Sequence, residues 1–220
     1  MTSTLPPPGR RRLARTCGDY RTERQVQEIF GGSQWGKTLR WRMLDPLFYA
    51  QDLVEWRNHQ ASLDVRSLAT TTADGSIDAL QEYFVPMAAL ERFAGALRTI
   101  LRRHAVNVIN VSIRHALKDP GTLLAWARMD VFAFVLYYRK ETELSERDAL
   151  RGWTRELIDA ALAQDESFYL PYQIHASTHQ FRTAYPDAGR FFALKRQVDP
   201  QNRFRNKLWD AYYRPEFGRP

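Results

Sequence analysis

The chain has a single cysteine, Cys17, which excludes an internal disulfide framework and suits a reducing compartment. No apolar run approaches the roughly 18 residues that a membrane-spanning helix needs. The first residues lack the apolar stretch of a secretory leader, so none is expected. Histidines number only five, and no cluster of side chains has metal-ligand spacing. Nor does any Ser-His-Asp arrangement emerge. Acidic residues are outnumbered, 25 against 32 basic ones, and the formal charge is +7. Such a balance can signal nucleic acid or anionic lipid. Part of the excess is local, however, because Arg10, Arg11, Arg12 and Arg15 crowd the start. We therefore expect a cytoplasmic protein with no nucleic-acid partner. Peripheral contact with a membrane surface stays open.

What is present suits one domain with a real core: 220 residues, 44% of them hydrophobic. Residues 1–19 have three consecutive prolines and no periodicity, and resemble a disordered or appended start. A mitochondrial-type presequence would need an amphipathic helix, which Pro6–Pro8 break. Residues 20–30 show a short helical pattern. Next, Gly31, Gly36, Lys37 and Thr38 match the spacing of a phosphate-binding loop. A true phosphate loop follows a buried strand and opens a helix. The preceding VQEIF is too polar and short for that strand, so a glycine turn carrying a lysine is expected. In residues 39–58 a break is expected at Asp45-Pro46. Leu44, Leu47, Phe48 and Leu53 are candidates to bury against a sheet. Residues 1–38 are expected to be poorly ordered or appended, 39–213 a folded domain, and 214–220 a tail.

From residue 78 the pattern sharpens. Residues 78–86 are β-rich and end at Pro86. Leu90, Phe93, Leu97, Ile100 and Leu101 then form one face of an amphipathic helix. Residues 105–117 alternate with period two. Ile109, Val111 and Ile113 share one face, and Val108, Asn110, Ser112 and Arg114 the other. Residues 130–140 are apolar on both sides, as a central strand would be. Ser145 with Asp148 resembles a capping box. Leu150, Trp153, Leu157 and Ala161 supply the buried stripe of the helix that follows. Residues 167–177 predict a strand interrupted at Pro171, hence an edge or a bulge. Phe191, Leu194, Lys195 and Val198 recur at helical spacing until Asp199-Pro200 stops the helix. The implied class is α+β, a mainly antiparallel sheet with helices packed on one face. Its other face presents an amide, a hydroxyl and a guanidinium in a row and needs a separate cover.

Several of these segments, taken in order, resemble a known family. They are QEYFVP (81–86) with its helix, the Asn110–Arg114 strand, YLPY with His175, and the ending Lys195, Asp199-Pro200, Asn202, Phe204, Asn206. Together they are similar to the C-terminal substrate-binding, or cap, domain of FAD-linked oxidases of the vanillyl-alcohol oxidase/PCMH superfamily. The nearest branch holds D-arabinono-1,4-lactone oxidase, alditol oxidase and decaprenylphosphoryl-ribose oxidase. The resemblance covers roughly residues 40–213; no single motif in it is specific, and the ordered set carries it.

The resemblance implies FAD as cofactor and a sugar alcohol or aldonolactone as substrate, oxidised at a CH–OH group. It also implies that the FAD-binding domain is separate, on another stretch of chain or another subunit. Catalytic candidates are Arg114, Tyr172 and His175. Substrate-binding candidates are Glu82, Asn110, Ser112 and Gln173, and Asn206 is a candidate to approach the flavin. Two departures stand out. Ser112 replaces the glutamate of a Glu-x-Arg pattern, and Tyr172 stands where sugar-oxidising relatives carry lysine. The competing reading is a non-catalytic basic module that binds an anionic ligand or nucleic acid.

Overall fold

The computed structural model describes residues 25–26, 29–31, 33–50, 76–140 and 144–213, with the side chains of 48, 49 and 144–146 excepted. The chain divides into two compact units, Met1–Asp74 and Gly75–Pro220. The expected boundary at residue 38/39 therefore falls inside the first unit.

In the first unit a helical run spans 34–49. Ser33, in extended conformation, caps α1 (Gln34–Leu39) by accepting the Gly36 N–H at 3.0 Å. The run continues through a π-type turn (Arg40–Leu44) into α2 (Asp45–Tyr49). No break occurs at Asp45-Pro46. Pro46 sits in the first turn of α2, and the widened turn before it relieves the clash its ring would make. Ile29 and Phe30 are helical, so among the described residues no strand leads into Gly31, and Gly36, Lys37 and Thr38 lie inside α1. A phosphate loop is thereby ruled out. Gly36 has a packing reason instead: a Cβ there would stand 2.6 Å from the Phe30 carbonyl oxygen. Of the apolar residues expected to bury here, Leu47 is 66% exposed. Leu53 and the Phe48 side chain lie outside the described residues.

The second unit is α+β. Its elements are β1 (Ile77–Pro86), α3 (Leu90–Arg103), β2 (Asn107–Ala116), β3 (Val131–Lys140), α4 (Leu144–Leu162), α5 (Thr178–Ala184) and α6 (Ala188–Val198). The three strands form one antiparallel sheet in the order β1-β3-β2, so the strand with the most apolar sequence is central. Register sorts the side chains. Ala79, Tyr83 and Val85 of β1, Phe134, Leu136 and Tyr138 of β3, and Val108 and Val111 of β2 point to the helical side. They meet Phe93, Leu97 and Ile100 of α3 and Trp153, Leu157 and Ile158 of α4 in one core. The register slips between Val108 and Asn110. This bulge turns Val108 to the helical side rather than leaving it beside Asn110. Ser145 lies within α4, which begins at Leu144, and so does not precede it as a cap.

The C-terminal segment is an aromatic clasp. Ser177 and Gln180 form a capping box that starts α5. Phe181 stacks on Tyr212 at 4.1 Å, and Trp209 stacks on Tyr213 at 3.6 Å while meeting Phe192 edge-on. α6 buries Ala188 and Phe192, leaving Val198 exposed at 72%. Asp199 ends α6. Its carboxylate accepts the backbone N–H groups of Arg203 (2.9 Å) and Phe204 (3.0 Å) and pairs with Lys195.

Two outcomes follow from this packing. Leu157 is fully buried, so Leu157→Ala should cost about 2–5 kcal/mol of unfolding free energy in urea titration. Val198→Ala, on the solvent side, should change it by less than about 0.5 kcal/mol. The Lys195 ammonium and two backbone N–H groups hold the Asp199 carboxyl down at about 2, from an ordinary 3.8. A depressed carboxyl stabilises the fold above its unfolded value and loses that effect as pH falls through the folded one. Asp199→Asn should therefore lower the melting temperature at neutral pH. Thermal melts should show the gap to wild type closing as pH falls from 4 toward 2.

Candidate functional site

The sheet face away from the helices collects most of the polar residues singled out in the sequence. Antiparallel register places Asp78, Arg139 and Asn107 in one cross-strand row, and Leu80, Tyr137 and Asn110 in the next. Glu82, Val135 and Ser112 follow, then Phe84, Ala133 and Arg114. Glu82, Asn110, Ser112 and Arg114 thus share one surface although two strands contribute them.

One end of this face is closed by a buried network. The Tyr137 hydroxyl donates to Asp78 at 2.9 Å, and the Arg139 guanidinium reaches both oxygens of the same carboxylate, at 2.9 and 3.4 Å. This network ties β1 to β3 and has the character of structure.

The other end is walled by aromatic side chains from two loops. Residues 167–169 pair with the outer edge of β1: the Phe84 N–H donates to Ser167 O, and the Tyr169 N–H donates to Glu82 O, both at 2.9 Å. The predicted strand 167–177 is real only over this short bridge; beyond it the chain makes no ladder. The bridge brings Tyr169 alongside Glu82. Tyr169 meets Phe84 edge-on at 6.1 Å and Tyr172 at 5.1 Å, and Trp126 packs on Phe84 at 5.0 Å. The Trp126 loop is itself pinned. Asp119 accepts from the N–H groups of Gly121 and Thr122, and Arg128 donates to the Asp165 carbonyl. Next to it lies Glu166, fully buried, its carboxyl pushed up by burial against the opposing pull of Arg128.

Within these walls Glu82 is half-buried and makes no ion pair among the described residues. Burial raises its carboxyl above the ordinary range, and the Arg114 guanidinium pulls the other way. The Tyr172 phenol is raised by burial, then by the Glu82 and Tyr169 groups, with Arg114 again opposing. Arg114 thus acts on both Glu82 and Tyr172, and Glu82 acts on Tyr172. Asn110 donates to the Ser112 hydroxyl at 3.1 Å, beside them on β2. Such a set can hold a ligand with several hydroxyl groups. It offers a carboxylate acceptor, a guanidinium donor, a hydroxyl and an amide, with flat aromatic walls for the carbon skeleton.

Three of the sequence candidates do not join this set. Lys140 and Gln173 are bonded at 3.0 Å, and the His175 Nε2 lies 3.2 Å from the same Gln173 oxygen. Lys140 pairs across from Ile77, on the helical side, and the His175 carbonyl accepts from Arg155 of α4 at 2.8 Å. Gln173 and His175 thus belong to the α4 side. Burial, Lys140, Arg151 and Arg155 lower the His175 pKa to about 4, which removes the near-neutral basicity expected of it. Asn206 accepts the Trp209 N–H at 2.9 Å and caps the closing turn. Phe84, Trp126 and Tyr169 are the site residues that sequence reading missed. They come together through non-local contacts, and only the alternation around Tyr169 carried a hint. Among the described residues no group of histidine, cysteine and carboxylate side chains is placed to hold a metal ion. No described helix is long and apolar enough to cross a membrane.

No protein-family model matches the chain, and no curated protein does.

The electrostatic coupling is directly measurable. Replacing Arg114 by Ala removes the cation that holds Glu82 down, so the Glu82 carboxyl should titrate at higher pH than in wild type. Glu82→Gln should move the Tyr172 phenol downward. Carbon-detected NMR titration of labelled Glu and Tyr checks both directions.

Proposed function

We propose that the chain is the substrate-binding portion of an FAD-dependent oxidoreductase that acts on a CH–OH group of a sugar alcohol or aldonolactone. The observation that carries this reading is Glu82: half-buried, without an ion pair among the described residues, and coupled to Arg114 and Tyr172 on a face lined with hydrogen-bonding groups. The raised carboxyl suits a group that accepts a substrate hydroxyl and then its proton as the carbon is oxidised. In this reading Arg114 donates to a ring or lactone oxygen, and Ser112 and Asn110 meet neighbouring hydroxyls. Tyr169 and Tyr172, both partly exposed, would shield the carbon skeleton from water, with Phe84 buried behind Tyr169. The order of segments that resembles the cap domains of the vanillyl-alcohol oxidase/PCMH superfamily supports the same reading.

The described residues do not supply the cofactor's own site. Gly36 and Lys37 lie within a helix, and the Asn206 amide is engaged as a cap, so no cradle for a pyrophosphate is formed by either. FAD is accordingly assigned to a separate domain or subunit. Leu194, Val198 and Phe204 stand exposed in the C-terminal segment, apolar surface of the kind a further domain covers.

Two measurements test the proposal. Gel filtration with added FAD should leave the purified chain without flavin absorbance; co-elution at one-to-one would overturn the assignment of the cofactor to another domain. Calorimetric titration with alditols and aldonolactones should give saturable binding that Glu82→Gln weakens by at least about tenfold, equivalent to about 1.4 kcal/mol. No binding of any polyol to the folded chain would overturn the substrate assignment.

A further inference from the structure

Cations in this fold are paired almost wherever they meet a carboxylate. Arg139 chelates Asp78, Arg103 and His104 share Glu156, Arg190 faces Asp187, Lys195 holds Asp199, and Arg205 holds Asp210. Another region gathers cations with no carboxylate partner among the described residues. At the C-terminal end of β3, Lys140 points to the helical side and lies close enough to Arg147 of α4 for their charges to oppose. Arg147, Arg151 and Arg155 recur four residues apart, so they stack along one face of α4. His175 sits against them, burdened by Lys140, Arg151 and Arg155 in addition to burial. No carboxylate among the described residues pairs with Lys140, Arg147, Arg151 or Arg155. The Arg155 bond goes to a backbone carbonyl, and the Lys140 bond to the neutral amide oxygen of Gln173.

Crowding four cations and an imidazole with no counter-charge among the described residues costs free energy, and a partly desolvated cluster is screened less than an open one. Lys140, Arg155 and His175 are partly buried, whereas Arg147, Arg151 and Gln173 are exposed, so the cluster is open to a ligand. Lys140 stands on a strand and Arg147 and Arg151 on a helix, which fix them better than loops would, while Gln173 and His175 come from the loop packed against them. Two exposed guanidinium forks suit tetrahedral oxyanions, which they grip through paired N–H groups. A singly charged carboxylate would leave most of the surplus charge uncompensated; a dianion matches it better.

We propose that Lys140, Arg147, Arg151 and His175 form a binding site for the phosphate group of a small phosphorylated ligand. The site is separate from the Glu82–Arg114 face, since the two lie on opposite sides of the sheet. Gln173 orients it by bridging Lys140 and His175 through one oxygen. His175 adds an N–H donor once protonated, and a bound dianion favours that protonation by offsetting the neighbouring cations.

The test is a titration of the full chain with inorganic phosphate at constant ionic strength, followed through the His175 ring resonances. Saturable shifts are expected, accompanied by a rise of the His175 pKa from its starting value near 4. The double variant Lys140→Gln/Arg151→Gln should weaken binding at least about tenfold. Arg147→Gln alters one exposed side chain, keeps the helix, and should weaken binding on its own. Glu82→Gln, on the other face, should leave it unchanged. Non-saturating shifts, or equal affinity in wild type and Arg147→Gln, would overturn the proposal.

Discussion

The fold turns on one strand that is apolar on both faces. β3 carries Phe134, Leu136 and Tyr138 toward the helices and Val131, Ala133 and Val135 away from them, all buried. A strand of this kind must be flanked by partners and covered twice. β1 and β2 flank it, and α3 and α4 cover one side. Among the described residues the second cover is partial. Phe84, Ala127, Val131 and Ala133 form a small cluster under Trp126 and Tyr169, and loops rather than helices provide its roof. Where that roof stops, the flanking strands present Glu82, Asn110, Ser112 and Arg114. The candidate site is thus the unfinished margin of a covering layer.

Each loop of the roof is held by hydrogen bonds from polar side chains that apolar packing alone would not require. Asp119 closes its own turn, Arg128 reaches the Asp165 carbonyl, and Tyr185 donates to the Phe168 carbonyl. Such bonds are net weak individually, but buried groups left without them are costly, so the loop positions are well specified. A carboxylate held half-buried beside loops so anchored keeps its raised proton affinity without drifting toward solvent. This links the local bonding of residues 119–130 to the chemistry available at Glu82.

The two sides of the sheet also differ in charge. The loop-covered side sets Asp78 against Arg139 and Glu82 against Arg114, whereas the α4 side concentrates basic groups around His175. Separation by a layer of apolar side chains lets both arrangements persist, since neither can neutralise the other at contact distance. The two faces of one sheet thus present a mixed hydrogen-bonding margin on one side and a basic cluster on the other.

Element identity was legible in the sequence because burial imposes periodicity. The apolar stripes of α3 and α4, the double-sided β3, the antiparallel α+β class and the Asp199-Pro200 stop all follow from local pattern. The amide–hydroxyl–guanidinium row on β2 was legible for the same reason. Non-local geometry decided the rest. A bulge at Val108–Asn110 reassigned one side chain, and a π-type turn carried the chain past Pro46. The bridge from Tyr83 to Phe168 set Tyr169 and Tyr172 beside Glu82 while Gln173 and His175 turned toward α4. Alternation along a strand predicts faces only while a ladder holds the strand straight. Beyond Tyr169 no ladder exists, so contacts with α4 set the direction of His175, and those contacts are formed by residues far away in the chain.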